Sequence, residues 1–257
     1  MTATGRRDLS WPALRRTTPA RIGLGRSGSG LPTAAHLDFQ LAHARARDAV
    51  HARFEPAPII AEIRAAGREA VALRSAAGDR QTYLRRPDLG RRLDLESRAS
   101  LAARLPSPVD IAFVIADGLS ANAVHAHAAA LLRASLARLD PALRVGPVAI
   151  VEGGRVAIGD EIGGLLAADL AVVLIGERPG LSAADSLGVY VTWQPAPGTV
   201  DAARRCLSNI RPQGLPIAEA AERLVALLME ARRHRMTGVA LGRRLATEPS
   251  RLIPERG

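Results

Sequence analysis

After Pro108 the chain alternates near-continuous apolar runs with helical stretches, and this pattern constrains the fold more than any other feature. "VDIAFVIAD" ends in Asp117, and Gly118 follows. An alanine-rich helix comes next, "LSANAVHAHAAALLRASLARL", with Ser120 placed to cap it. "GPVAIVEGG" is the second run, and "DEIGGLLAA" a short helix with acidic residues in its first turn, as the helix dipole prefers. "LAVVLIGE" and "LGVYVTWQP" are further runs, before a long final helix around "IAEAAERLVALLMEARRHRMTG" that Gly238 is expected to end. Strands apolar on both faces and separated by helices belong to a mostly parallel sheet covered on both sides. The fold class is α/β.

The region before Pro108 reads differently. Residues 1–29 show no periodicity and are rich in Gly, Ser and Arg, as an extended arm would be. A helix is predicted from Thr33, as N-cap, to Phe54, with a weak apolar stripe of Leu37, Leu41, Ala44 and Ala49. Pro56 and Pro58 interrupt it, and a shorter helix in "PIIAEIRAAG" closes at Gly67. "EAVALRSAA" reads as a strand, "RQTYLRRPDLGRRL" as an Arg-rich polar connector, and Leu95–Leu105 as one more short helix. Pro106 and Pro108 mark the expected domain boundary. The implied organisation is an arm (1–29), a mainly helical N-terminal domain (30–107), an α/β domain (108–242) and a tail (243–257).

The chain has 257 residues and a net charge of +10, and every basic residue is Arg. Residues 1–108 hold 19 Arg against 10 acidic residues, so nearly all the excess lies there. That excess suits an acidic partner, a nucleic acid, or water alone. Binding of single-stranded nucleic acid would also need interleaved aromatics, and the region has only Trp11, Phe39, Phe54 and Tyr83. No run approaches the roughly 18 apolar residues of a membrane span, and no apolar segment follows the basic N-terminus as in a secretory signal. The single cysteine, Cys206, fits a reducing compartment.

In parallel sheets ligands bind outside the carboxyl ends of the strands. Here those ends carry Asp117-Gly118, Glu152-Gly153-Gly154 and Gly176-Glu177-Arg178, each a glycine beside a charge. "GLGRSG" at Gly23–Gly28 matches a dinucleotide fingerprint, but no strand precedes it and Pro32 follows, so a stand-alone dinucleotide enzyme is a remote alternative. His125 and His127 are two apart on a helix and point to different faces, which does not make a metal pair. Cys206 reads as a small residue at a helix start, with Ser208 and Asn209 beside it as short polar groups suited to bonding amides. No complete catalytic constellation stands out, and the chain reads as a ligand cradle.

Six blocks together resemble the small (light) subunit of ethanolamine ammonia-lyase: "ARIGLGRSGSGLPTAAHLDFQLAHARARDAVH", "DRQTYLRRPDLGRRL", "FVIADGLSANAVHAH", "GPVAIVEGGRVAIGDEIG", "VVLIGERPGLSAADSLGVYVTW" and "CLSNIRPQGL". The resemblance runs from about Pro19 to about Leu241. It implies a Rossmann-like domain that covers adenosylcobalamin at the interface with a large subunit. That large subunit would bind ethanolamine, and the enzyme would convert it by a radical mechanism to acetaldehyde and ammonia. It implies no catalytic residue in this chain and cobalt held by the corrin. The valine of "GGRV", the glutamate of "GERPG" and the cysteine of "CLSNI" correspond to cobalamin contacts, which are Val156, Glu177 and Cys206 here. Arg155, Ser208 and Asn209 are added as neighbours. The expected location is cytoplasmic, inside or outside a bacterial microcompartment.

Overall fold

The computed structural model describes residues 10–104 and 108–247. Its strands are β1 (Ala70–Arg74), β2 (Ile111–Ala116), β3 (Val148–Glu152), β4 (Leu170–Gly176), β5 (Leu187–Trp193) and β6 (Arg204–Ile210). They form one sheet in the order β1-β3-β2-β4-β5-β6. The first four neighbours are parallel. β5 is antiparallel to β4, and β6 to β5. β1 precedes Pro108, and it is the edge strand of the sheet whose other strands follow that proline.

The apolar runs produce this sheet because alternate residues serve opposite faces. In β2, Ile111, Phe113 and Ile115 enter one core, while Ala112, Val114 and Ala116 enter the other. The first face is covered by α3 (Pro56–Ala65), α6 (Ala121–Leu136) and α8 (Ile217–His234). The second face is covered by α5 (Leu95–Ala102) and α7 (Ile158–Leu165). Ser120 caps α6 by accepting from the Ala123 N–H at 3.3 Å, and α7 carries Asp160 and Glu161 in its first turn.

Several local expectations change. α2 spans Thr33–His51, with Pro32 and not Thr33 at the cap position. The polar connector contains α4 (Arg80–Arg85), because Asp79 accepts from the N–H groups of Gln81 and Thr82 at 2.8 and 3.0 Å. The segment 10–29 contains a short helix, α1 (Trp11–Arg15), capped by Ser10. Cys206 lies inside strand β6 and not at a helix start. Only one face of β6 packs against the core, so its apolar signal is weak. Gly238 begins α9 (Gly238–Thr247), and α8 stops earlier, where Arg235 takes a left-handed φ of 55°. A side chain at Gly238 would strike the Ala202 carbonyl, so glycine permits the close approach. Residues 243–247 of the expected tail therefore belong to α9, and residues 248–257 lie outside the described residues, as does 1–9 of the arm.

"GLGRSG" sits in coil, with no strand before it. His125 accepts from the Glu55 N–H at 3.0 Å and stacks on Phe54, whereas His127 is buried.

Candidate functional site

The second face of the sheet is finished on one side only. Among the described residues α7 packs on β2 and β4 and reaches β6 through the Asp160–Arg204 pair, while the helices packed most on β5 and β6 are α6, α8 and α9, all on the first face. The second-face residues of β5 are Gly188, Tyr190 and Thr192, and those of β6 are Arg204, Cys206 and Ser208. Thr192 and Arg204 are buried beside α7. Toward the carboxyl end of β4 the cover stops, leaving Tyr190 half-buried and Cys206 and Ser208 exposed.

Glu177 stands at that opening, directly after β4. Its Oε2 accepts from the Ser186 hydroxyl at 2.5 Å and from the Asn209 N–H at 3.1 Å. A bulge aims the second donor. Leu187 pairs with Ile210 and Val189 with Leu207, so Ser208 and Asn209 together oppose Gly188. Asn209 takes a φ of 57° there. The other oxygen, Oε1, lies over Gly188, where a Cβ would come within 2.9 Å of it. The carboxylate is thus fixed by two donors on one oxygen, and the missing side chain of residue 188 makes room for the other.

Tyr190 and Cys206 are cross-strand partners in register and hydrogen-bond through their side chains. Burial pushes the Cys206 thiol up, and the Tyr190 hydroxyl donated to it opposes that rise. Tyr190 itself is raised, first by burial, then by the nearby Cys206 and Glu177. A thiol held neutral in this way is a weak hydrogen-bonding partner and a poor nucleophile. Beneath this surface a buried ion pair joins α7 to β6. Arg204 donates to both carboxylate oxygens of Asp160 at 2.6 and 2.7 Å, and both side chains are 3% exposed.

Known proteins resemble the chain over most of its length. The model of the ethanolamine ammonia-lyase light chain (EutC) family matches residues 8–242. The ethanolamine ammonia-lyase small subunit of Azotobacter vinelandii is 56% identical over 236 residues, 90% of this chain and 87% of that protein. The small subunits of Xanthomonas campestris pv. campestris and Pseudomonas syringae pv. tomato are each 54% identical, over 90% of this chain and 87% and 82% of theirs. The chain belongs to the ethanolamine ammonia-lyase light-chain family. The lyase and ethanolamine assignments made from sequence hold at that level, and membership among small subunits implies a larger partner subunit. No described helix is long and apolar enough to cross a membrane.

Within this light chain the expected site residues separate into two groups. Glu177, Cys206, Ser208 and Asn209 share the opening at β4–β6. Val156 lies in the turn just before α7, half-buried in the second-face core with Tyr190, and its carbonyl accepts from the Gly159 N–H at 3.1 Å. Arg155 points away from the opening. Its guanidinium lies 4.0 Å from the Tyr83 ring centre and donates to the Tyr83 carbonyl at 3.0 Å.

Sequence reasoning missed Ser186, Gly188 and Tyr190. A signal was present in "LGVYVTW". Its first-face positions are Leu, Val, Val and Trp, and its second-face positions are Gly, Tyr and Thr. A strand whose alternate positions lose their aliphatic character is not covered evenly on both faces. Among the described residues no group of three or more His, Cys, Asp or Glu could hold a metal ion.

Proposed function

We propose that this chain is the cofactor-covering subunit of an adenosylcobalamin-dependent ethanolamine ammonia-lyase, and that the open face of β5 and β6 lies against the corrin. One observation carries the reading: the Glu177 carboxylate, held by Ser186 and Asn209 over the bare backbone of Gly188, at the edge of an uncovered sheet surface. The donor set fits the group. Corrin edges bear primary amides, whose N–H groups need acceptors, and a carboxylate is the strongest acceptor a side chain offers. Cys206, Ser208 and Tyr190 are weaker partners on the same surface, and Val156 supplies apolar contact at its rim.

Bound adenosylcobalamin supplies radical chemistry, and the protein supplies placement and exclusion of water. The chain's own residues then act by holding the corrin edge. Glu177 orients amides, the flat β5–β6 surface shields one side from water, and no residue of this chain touches the substrate. Ethanolamine is bound by the large subunit, and the Rossmann-like portion from about 108 to 242 meets that subunit across the cofactor.

The N-terminal region, through about residue 107, contacts the same partner. Trp11, Leu31, Leu37 and Leu41 are each at least half exposed, an apolar set suited to a subunit interface. The decisive experiment is reconstitution. Chain, large subunit and adenosylcobalamin together should release ammonia from ethanolamine, and omitting any one should stop it. Ammonia release by the large subunit and cofactor alone, at the full rate, would contradict this role.

A further inference from the structure

Asp117 is a buried carboxylate to which nothing above assigns a role. It directly follows β2, is 4% exposed, and forms part of the wall of a cleft of about 250 Å³. Its Oδ1 accepts from the N–H groups of Gly153 and Gly154 at 2.8 and 3.2 Å. Its Oδ2 accepts from Arg80 at 3.1 Å, and the same Arg80 nitrogen donates to the Gly118 carbonyl at 2.8 Å. Arg80 is itself anchored by donating from Nε to the Val50 carbonyl at 2.8 Å. Gly153 and Gly154 lead directly into Arg155 and Val156.

The backbone beside Asp117 makes the complementary tie to β4. The Leu119 N–H donates to the Gly176 carbonyl at 2.9 Å. Gly118 has a φ of 57°, and a Cβ on it would strike that same carbonyl. A Cβ on Gly176 would strike the Ser120 carbonyl and lie 2.6 Å from that of Asp117. The two strand ends meet with no space between them, and Gly176 leads directly into Glu177.

We infer that Asp117 is a positioning residue for the cofactor face: one carboxylate fixes the backbone leading to Val156, while the adjoining turn fixes the backbone leading to Glu177. The inference rests on the reading of that face as the cobalamin surface. A buried carboxylate is costly unless its partners are in place. Here burial raises the carboxyl to about 6 against the pull of Arg80 and the glycine N–H groups. Protonation removes the charge that those donors converge on, so cofactor binding should weaken as pH falls through about 6. The charged and titratable neighbours are Arg80 and Tyr83 from α4, Asp79 that caps the same helix, Arg155 beyond the Tyr83 ring, the Arg74–Glu152 pair, and His51 and Arg53 across the cleft.

The test is equilibrium binding of adenosylcobalamin to the co-purified two-subunit complex between pH 5.5 and 8, with hydrogen exchange at 153–156 measured on the same samples without cofactor. Wild type should bind less tightly at the acid end. Asp117→Asn should bind about tenfold to a hundredfold more weakly at pH 8, lose the pH step and exchange faster at 153–156. Arg80→Gln should move the step to higher pH, because the compensating cation is gone, and it tests the idea even if Asp117→Asn does not fold. His51→Gln should leave the step in place. Wild-type affinity and exchange in Asp117→Asn, or a step that disappears in His51→Gln, would overturn the inference. If wild type binds no cobalamin at all, the reading of the face fails, and exchange at 153–156 still decides whether Asp117 holds that backbone.

Discussion

The parallel and antiparallel parts of this sheet are finished in different ways. β2 and β4 are buried along their whole length, with apolar side chains on both faces. β5 and β6 are aliphatic on the first face alone, and their second face carries glycine, hydroxyls, a thiol and one buried guanidinium. The parallel part is shaped by its own core. Among the described residues the antiparallel part is half a core, and on the proposed reading the corrin supplies its other half. Stability and binding should therefore respond to different residues, and substitutions can separate them.

The largest expected effect is on stability, where the two parts are joined. Arg204→Ala leaves Asp160 buried and unpaired, which should cost about 3–5 kcal/mol in denaturant unfolding. Taking both charges out of water offsets much of their mutual attraction, so the intact pair adds little net stability even though breaking it is costly. A double replacement, Asp160→Leu with Arg204→Met, should recover most of the loss. If the single variant unfolds like wild type, the joint between α7 and β6 is not structural.

The next effect is a pH dependence inside the parallel part. Asp117 is raised from 3.8 to about 6 by burial. A raised carboxyl binds its proton more tightly in the folded chain. Its contribution to stability is complete below about pH 4 and lost as pH rises through about 6, a swing of about 3 kcal/mol. Unfolding free energies of wild type and Asp117→Asn, compared at pH 4.5 and 7.5, should differ in slope in that sense. Parallel slopes would remove Asp117 from the account.

A smaller effect should fall on binding alone. In Gly188→Ala the new methyl meets the end of the flexible Glu177 side chain, which can give way at little cost to folding. The thermal midpoint should stay within a few degrees of wild type, while the adenosylcobalamin constant of the two-subunit enzyme rises about tenfold. Equal losses in both would blur the contrast between the two parts. Smallest of all should be Cys206→Ser, because a hydroxyl replaces a weak thiol partner and can still meet Tyr190. Its cofactor constant should change by less than about threefold. A larger change would give the thiol a role beyond surface contact.

Legibility in the sequence follows the same division. The parallel strands and α6 were readable because a strand apolar on both faces leaves an unbroken run, as in "DIAFVIAD", and Ser120 announces the helix after it. Glu177 was readable from its place at the end of such a run. β6 was not, since "RRCLSNI" packs only Leu207 and Ile210 into the first-face core and its other face carries Arg204, Cys206 and Ser208. The donors that hold Glu177 come from a bulge at Asn209 and a turn at Ser186, distant in sequence and set only by strand register. Asp117 and Gly153-Gly154 were readable as strand ends, but their junction with Arg80 was not, for the same reason. The Asp117 carboxylate meets Arg80 and Gly153, 37 and 36 residues away.

The most direct measurement is a titration of the reconstituted two-subunit enzyme with adenosylcobalamin, comparing wild type with Glu177→Gln. The amide keeps the shape and one carbonyl acceptor but removes the charge that Ser186, Asn209 and the corrin amides would share. A hydrogen bond to a charged acceptor is worth about 1.5–3 kcal/mol, so the cofactor constant should rise by about one to two powers of ten. The rate at saturating cofactor should remain near wild type, because on the proposed reading the reacting groups belong to the partner. An unchanged cofactor constant would contradict the account and leave Glu177 as an ordinary turn residue at the end of a buried strand.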